Sequence, residues 1–101
     1  MKASDILEQA AGTYRERNAV YGDNYLVVGE VLNSLFPKGI ALHGQADFLR
    51  FHIFMLMVVK MTRYCNNWDA GGHQDSIRDN TVYSAMLEEI DARLKEAEKD
   101  A

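Results

Sequence analysis

The sequence predicts an all-α domain arranged as a four-helix bundle, and three observations carry that prediction. Apolar residues recur at helical spacing through most of the 101 residues. Strand-type alternation is scarce, and the single proline, Pro37, falls in a gap between two periodic stretches. The turn-forming sets Tyr21-Gly22-Asp23-Asn24, Pro37 to Gly44 and Gly71-Gly72 then cut the chain into four segments.

The first helix is expected from Ser4, as N-cap, to about Arg17, with Asp5 and Glu8 complementing its dipole and Ile6, Leu7, Ala10, Ala11 and Tyr14 as its apolar face. A second begins at Asp23 or Asn24 and carries Tyr25, Val28, Leu32 and Leu35 on one face until Pro37, Gly39 and Gly44 break it. The third runs from Gln45 to about Asn67. Its centre, FHIFMLMVV, is apolar on nearly every side and is expected to be the buried middle of the bundle. The fourth starts between His73 and Asp75 and reaches about Lys99, with Ile77, Val82, Met86, Ile90 and Leu94 as its inward stripe. The short link between the third and fourth predicts that they pack antiparallel.

Length and composition bound the rest. A chain in which 48% of residues are apolar builds one domain over 1–101 without staples, with 1–3 and 96–101 expected to fray. The lone cysteine, Cys65, excludes an internal disulfide, fits a reducing cytosol and is expected to be a buried apolar residue, while three scattered histidines show no zinc spacing. His52, inside the apolar helix, is expected to be a hydrogen-bonded core residue, and His43 is unremarkable. The start MKASDILEQ lacks an apolar signal region, and the longest apolar run, Ile53 to Val59, is far below the roughly 20 residues that span a bilayer, so a cytoplasmic protein is expected. A net charge of −4 without a basic block argues against extended nucleic acid as partner and leaves room for a small anion. Leu26, Val27, Val31 and Phe36 add apolar surface beyond what four helices hide, which predicts a homo-oligomer.

Two clusters are candidates for chemistry. Lys60 and Arg63, three apart, share a helical face, as do Asp75 and Asp79, four apart, and an antiparallel hairpin brings the two pairs to one end of the bundle. Interhelical ion pairing explains them fully. A ligand site becomes the alternative because Tyr64, Trp68, His73 and Tyr83 crowd the same end, and aromatic faces beside cations suit a base next to a phosphate. Asp75 also reads as a first-turn residue that complements the helix dipole. Were Asp75 and Asp79 to hold Mg²⁺, further oxygens would be needed from Glu30, Asp47 or the ligand. The second cluster is the Tyr21-Gly22-Asp23 turn with its flank Arg15, Arg17, Asn24 and Tyr25, where a helix N-terminus offers free N–H groups to an anion. Turn chemistry alone explains that set equally well.

The AVYGDN turn, Asp47 opening an apolar helix that ends VVKMTRY, and GGHQDSIRDNTVYSAM together resemble small phage and prophage proteins of the MazG-like group, over roughly Tyr14 to Asp91. The resemblance implies a four-helix MazG-like bundle, assembled as dimers or tetramers, that handles nucleotides and holds Mg²⁺ on helical carboxylates to split triphosphates between the α and β phosphates. Lys60, Arg63, Asp79 and Tyr83 match the phage pattern, and Tyr21, Gly22 and Asp23 match its loop. The Glu-x-x-Glu pair of the MazG metal site has no counterpart here.

With that pair absent and cations in its place, the resemblance implies a protein that binds a nucleotide without turning it over. Such a protein would sequester a host antiviral signal of the cyclic dinucleotide or cyclic ADP-ribose type. On this reading Lys60, Arg63 and Arg15 or Arg17 pair with phosphates, Tyr21, Tyr25 or Trp68 stack on a base, and Asp79 accepts a hydrogen bond from a ribose or base N–H. No cofactor is required. The alternatives are a pyrophosphohydrolase using Mg²⁺ or Mn²⁺ on Asp75 and Asp79, and a structural or protein-binding helical module.

Overall fold

A computed structural model of the chain describes residues 1–100, and every regular element in them is helical. The helices are α1 (Ala3–Tyr21), α2 (Asn24–Leu35), α3 (Gly44–Asn66) and α4 (Gln74–Asp100), with a 3-10 turn at Trp68–Ala70 between the last two. The all-α reading and the four segments are therefore correct.

Local chemistry sets the boundaries. Asp5 accepts the Lys2 N–H at 3.0 Å and closes the first turn of α1. The helix then runs a turn beyond Arg17, because nothing in Asn18-Ala19-Val20-Tyr21 stops it before Gly22, whose φ of 63° only glycine adopts cheaply. Asp47 accepts the His43 N–H at 2.9 Å and caps the start of α3. At the far end of α3 the chain reverses through Gly71 and Gly72, with φ of 94° and 91°. A Cβ on Gly72 would stand 2.5 Å from the Tyr64 ring, so glycine is required there on two counts.

Helix α3 is the centre of the molecule. Helix α4 lies antiparallel along it, tied by Arg50–Asp91 and Lys60–Asp79 ion pairs of 3.0 Å each and by the Asn80 amide donating to the Met57 carbonyl at 3.1 Å. Helix α2 runs antiparallel on another side, from Asn24 beside the Val59 carbonyl to Phe36 against Phe51 and Phe54. Helix α1 is held at its C-terminal end. Asn66 donates to the Tyr21 carbonyl, and Asn67 donates to that of Val20 at 3.1 Å, so two side chains of the α3 terminus satisfy carbonyls that α1 leaves open. Tyr14 meets Tyr25 of α2 edge-on, the rest of α1 before it projects from the body, and Ile6, Leu7, Ala10, Ala11 and Tyr14, the expected apolar face, stay exposed.

This layout corrects several expectations about the core. Among the described residues the buried hydrophobics are Ile53 and Val58 alone; FHIFMLMVV is not enclosed on all sides, and Met55 is exposed. His52 is exposed, its Nδ1 sitting 2.8 Å from the Leu49 carbonyl in the preceding turn, and Cys65 is exposed rather than buried. On α2, Val28 and Leu32 turn inward while Tyr25 and Leu35 do not. The inward stripe of α4 is Ser76, Asn80, Tyr83, Leu87, Ile90 and Leu94, leaving Ile77, Val82 and Met86 outside. Polar partners explain that rotation. Ser76 is wholly buried with its hydroxyl 2.6 Å from His73 Nδ1, and Asn80 needs the Met57 carbonyl.

Candidate functional site

The structure divides the charged hairpin into two places. Lys60 and Asp79 pair with one another across the α3–α4 seam, with the lysine side chain 17% exposed. Arg63 leaves that seam and lies over the Tyr21 ring of α1, its guanidinium carbon 4.2 Å from the ring centre. A cation on an aromatic face gains from the ring quadrupole and keeps its N–H edges free for an anion.

Arg63 thereby joins a cavity of about 430 Å³ between α1, α2 and α3. Of the residues expected to bind a ligand, Arg17, Tyr21, Gly22, Tyr25 and Arg63 line it. Tyr14, Asn18, Asn24, Val28 and Val59 complete the wall. Neither Tyr14 nor Asn18 is expected there from the sequence: Tyr14 is assigned to the apolar face of α1, and Asn18 falls beyond the expected end of that helix at about Arg17. Carried to Tyr21, the spacing of Tyr14, Arg17, Asn18 and Tyr21 puts all four on one helical face, which is the signal that would have found them.

The remaining expected residues lie elsewhere. His73 backs the cavity from behind, its ring edge-on to Tyr21 at 5.9 Å and its Nδ1 engaged with Ser76. Trp68 meets Tyr64 edge-on at 5.9 Å and is 68% exposed on the 3-10 turn. Tyr83 is half-buried in the α3–α4 seam, Asp23 sits exposed at the start of α2, and Asp75 is exposed in the first turn of α4.

The cavity is electropositive in an acidic protein. Neither Arg17 nor Arg63 belongs to an ion pair; the pairs among the described residues are Arg50–Asp91, Lys60–Asp79 and Arg93–Glu89. Arg63 Nε is buried without a hydrogen-bond partner, as is Asn24 Oδ1. Asn80 Oδ1, in the α3–α4 seam, likewise has no protein partner. Buried polar atoms are normally satisfied, so two orphans in one wall mark a place where a partner is missing. Opposite them the Tyr14 and Tyr25 hydroxyls meet at 3.2 Å, and that hydrogen bond holds the Tyr14 phenol above its ordinary pKa.

A divalent cation fits this chain poorly. Among the described residues no group of three or more His, Cys, Asp and Glu side chains converges, and Asp79 is already held by the Lys60 ammonium. Oxygen-rich coordination needs more than Asp75 can add. Compared with known proteins, the chain matches no family model, no curated protein and no solved structure.

Proposed function

We propose that the chain is a nucleotide-binding helical module that holds a small nucleotide-derived anion in the α1–α2–α3 cavity and releases it unchanged. The observation that carries this reading is Arg63: a partly buried guanidinium without a carboxylate, its Nε unpartnered, on a cavity that also receives Arg17. The volume of about 430 Å³ suits one nucleotide-sized ligand. Arg17 and Arg63 take the phosphates as charge-assisted hydrogen bonds, while Tyr14 and Tyr25 offer ring surface to a base. The first N–H groups of α2, beside Gly22, add donors on the same wall. Lys60 and Asp79 serve the α3–α4 seam instead.

The ligand class rests on this chemistry together with the MazG-like character of the AVYGDN turn and the GGHQDSIRDN hairpin. A phage protein of this kind sequesters a host signalling nucleotide, of the cyclic dinucleotide or cyclic ADP-ribose type. The test is to incubate purified protein with nucleoside triphosphates, cyclic dinucleotides and cyclic ADP-ribose products, with and without Mn²⁺, then identify bound and released material by chromatography and mass spectrometry. An intact ligand is expected from the wild type, and Arg63→Ala is expected to weaken its binding about 10- to 100-fold, the worth of a charged hydrogen bond. Release of pyrophosphate would replace this reading with hydrolysis. Equal binding by Arg63→Ala would remove the cavity from it.

A further inference from the structure

A second cavity, of about 280 Å³, lies at the other end of α3, between the end of α2, the start of α3 and the middle of α4. Asp47 in its wall and Arg63 are sixteen residues apart on α3, roughly 24 Å along the helix axis, so this cavity is separate from the one that Arg63 lines. Its apolar wall is aromatic. Phe36 meets Phe54 edge-on at 5.5 Å and Phe51 at a tilt at 6.4 Å, and the loop between α2 and α3 adds an aliphatic edge. The three rings are half-buried, and each lines the cavity.

The charged part of the wall is Asp47, Arg50 and Asp91. Asp91 Oδ1 accepts from Arg50 Nε at 3.0 Å, which balances one carboxylate against the one guanidinium. Asp47 is the surplus charge. Its Oδ2 accepts the His43 N–H at 2.9 Å and its other oxygen has no donor among the described residues. The dipole of α3 offsets about half an elementary charge at this end, so the cavity keeps a negative balance. A cation is drawn to that balance and an anion is not. A metal ion is not the cation that fits, since among the described residues no three His, Cys, Asp or Glu side chains converge and the rings supply no oxygen. An organic ammonium does fit, because aromatic faces attract a cation and a carboxylate accepts its N–H groups.

We propose that the cavity lined by Phe36, Phe51 and Phe54 is a second binding site, for a small organic ammonium whose apolar body lies against the rings and whose N–H groups donate to the carboxylates beside them. Size narrows the ligand further. A volume of about 280 Å³ stands just below the roughly 300 Å³ at which pockets for drug-sized ligands begin, so a single ring or a short aliphatic chain fills it. The site does not depend on what the α1–α2–α3 cavity holds.

Phenethylamine, a cation at neutral pH, is the probe, with phenethyl alcohol and hydrocinnamate as neutral and anionic counterparts carrying the same ring. Amide spectra of the full chain are recorded as each compound is added up to about 10 mM, the range that a ligand of so few atoms requires. Phenethylamine is expected to move the signals of residues 36–54 and 87–91 and to bind about tenfold more tightly than the alcohol, the worth of a charged hydrogen bond, with hydrocinnamate weaker than either. Asp47→Asn keeps an oxygen for the His43 N–H and removes the charge. It is expected to lose about tenfold in affinity for the amine and little for the alcohol. The variant's own spectrum reports its folding, and the comparison of the three probes on the wild-type chain decides the matter even if the variant unfolds. No response to phenethylamine, equal affinity for amine and alcohol, tighter binding of hydrocinnamate, a folded Asp47→Asn with unchanged amine affinity, or movements confined to residues around Arg63 would each overturn the proposal.

Discussion

Tyr14 shows at residue scale how the cavity wall is tuned. Its hydroxyl shares a hydrogen bond with Tyr25, and that bond, the largest cause, raises its pKa above the ordinary 10.0. A raised value means that the folded chain favours the neutral phenol. The contribution is therefore complete below the unfolded pKa and is lost as pH rises through the folded value. An alkaline absorbance titration is expected to show one late-ionising tyrosine that moves back toward the ordinary value in Tyr25→Phe; an unchanged profile would mean that the two hydroxyls are independent. The same scale shows what sequence can reveal of a site. Arg17, Tyr21, Gly22 and Tyr25, which the sequence groups around one turn, line a single cavity, and Arg63, which the sequence groups with Lys60, lines it with them. Lys60 and Arg63 do not act as one pair, because three residues on a helix separate side chains by about 60° and here that angle sends them to opposite neighbours.

At the scale of elements, the turn into α4 rests on Gly72. Replacement by alanine combines a φ of 91° with a Cβ driven into Tyr64. Gly72→Ala is expected to cost about 1 to 3 kcal/mol in denaturant unfolding, the range for a strained backbone position. The attachment of α1 depends on side chains instead. Asn67 donates to Val20 of α1 at 3.1 Å and to Arg63 of its own helix at 2.8 Å. Asn67→Ala is expected to accelerate hydrogen exchange along α1 while leaving α3 and α4 protected, a loss of about 1 kcal/mol per bond. Uniform exchange in all helices would show that α1 is not an independent unit. Helix positions were legible because glycine, proline and apolar spacing mark them locally. The rotation of α4 was not, since an apolar count favours Val82 and Met86 over Ser76 and Asn80, whose place is decided by partners on other segments.

On the scale of the whole molecule, a body that buries two hydrophobic residues among those described, Ile53 and Val58, has a small core of its own. If the homo-oligomer expected from the sequence forms, the melting temperature of the wild type rises between about 1 and 100 µM protein, since association stabilises the folded state by mass action. A melting temperature independent of concentration would make the single chain self-sufficient. The anchoring of α1 at one end has a mechanical consequence. Nineteen helical residues form a rod about 28 Å long, seated at Tyr21 against the Arg63 guanidinium and tied again to α2 by the Tyr14–Tyr25 hydrogen bond. Tilting that rod by 10° swings its free tip through about 5 Å by the same geometry. A ligand that shifted the contacts at Tyr21 and Tyr14 would carry the helix beyond Tyr14 with them, a displacement large enough for a neighbouring molecule to feel.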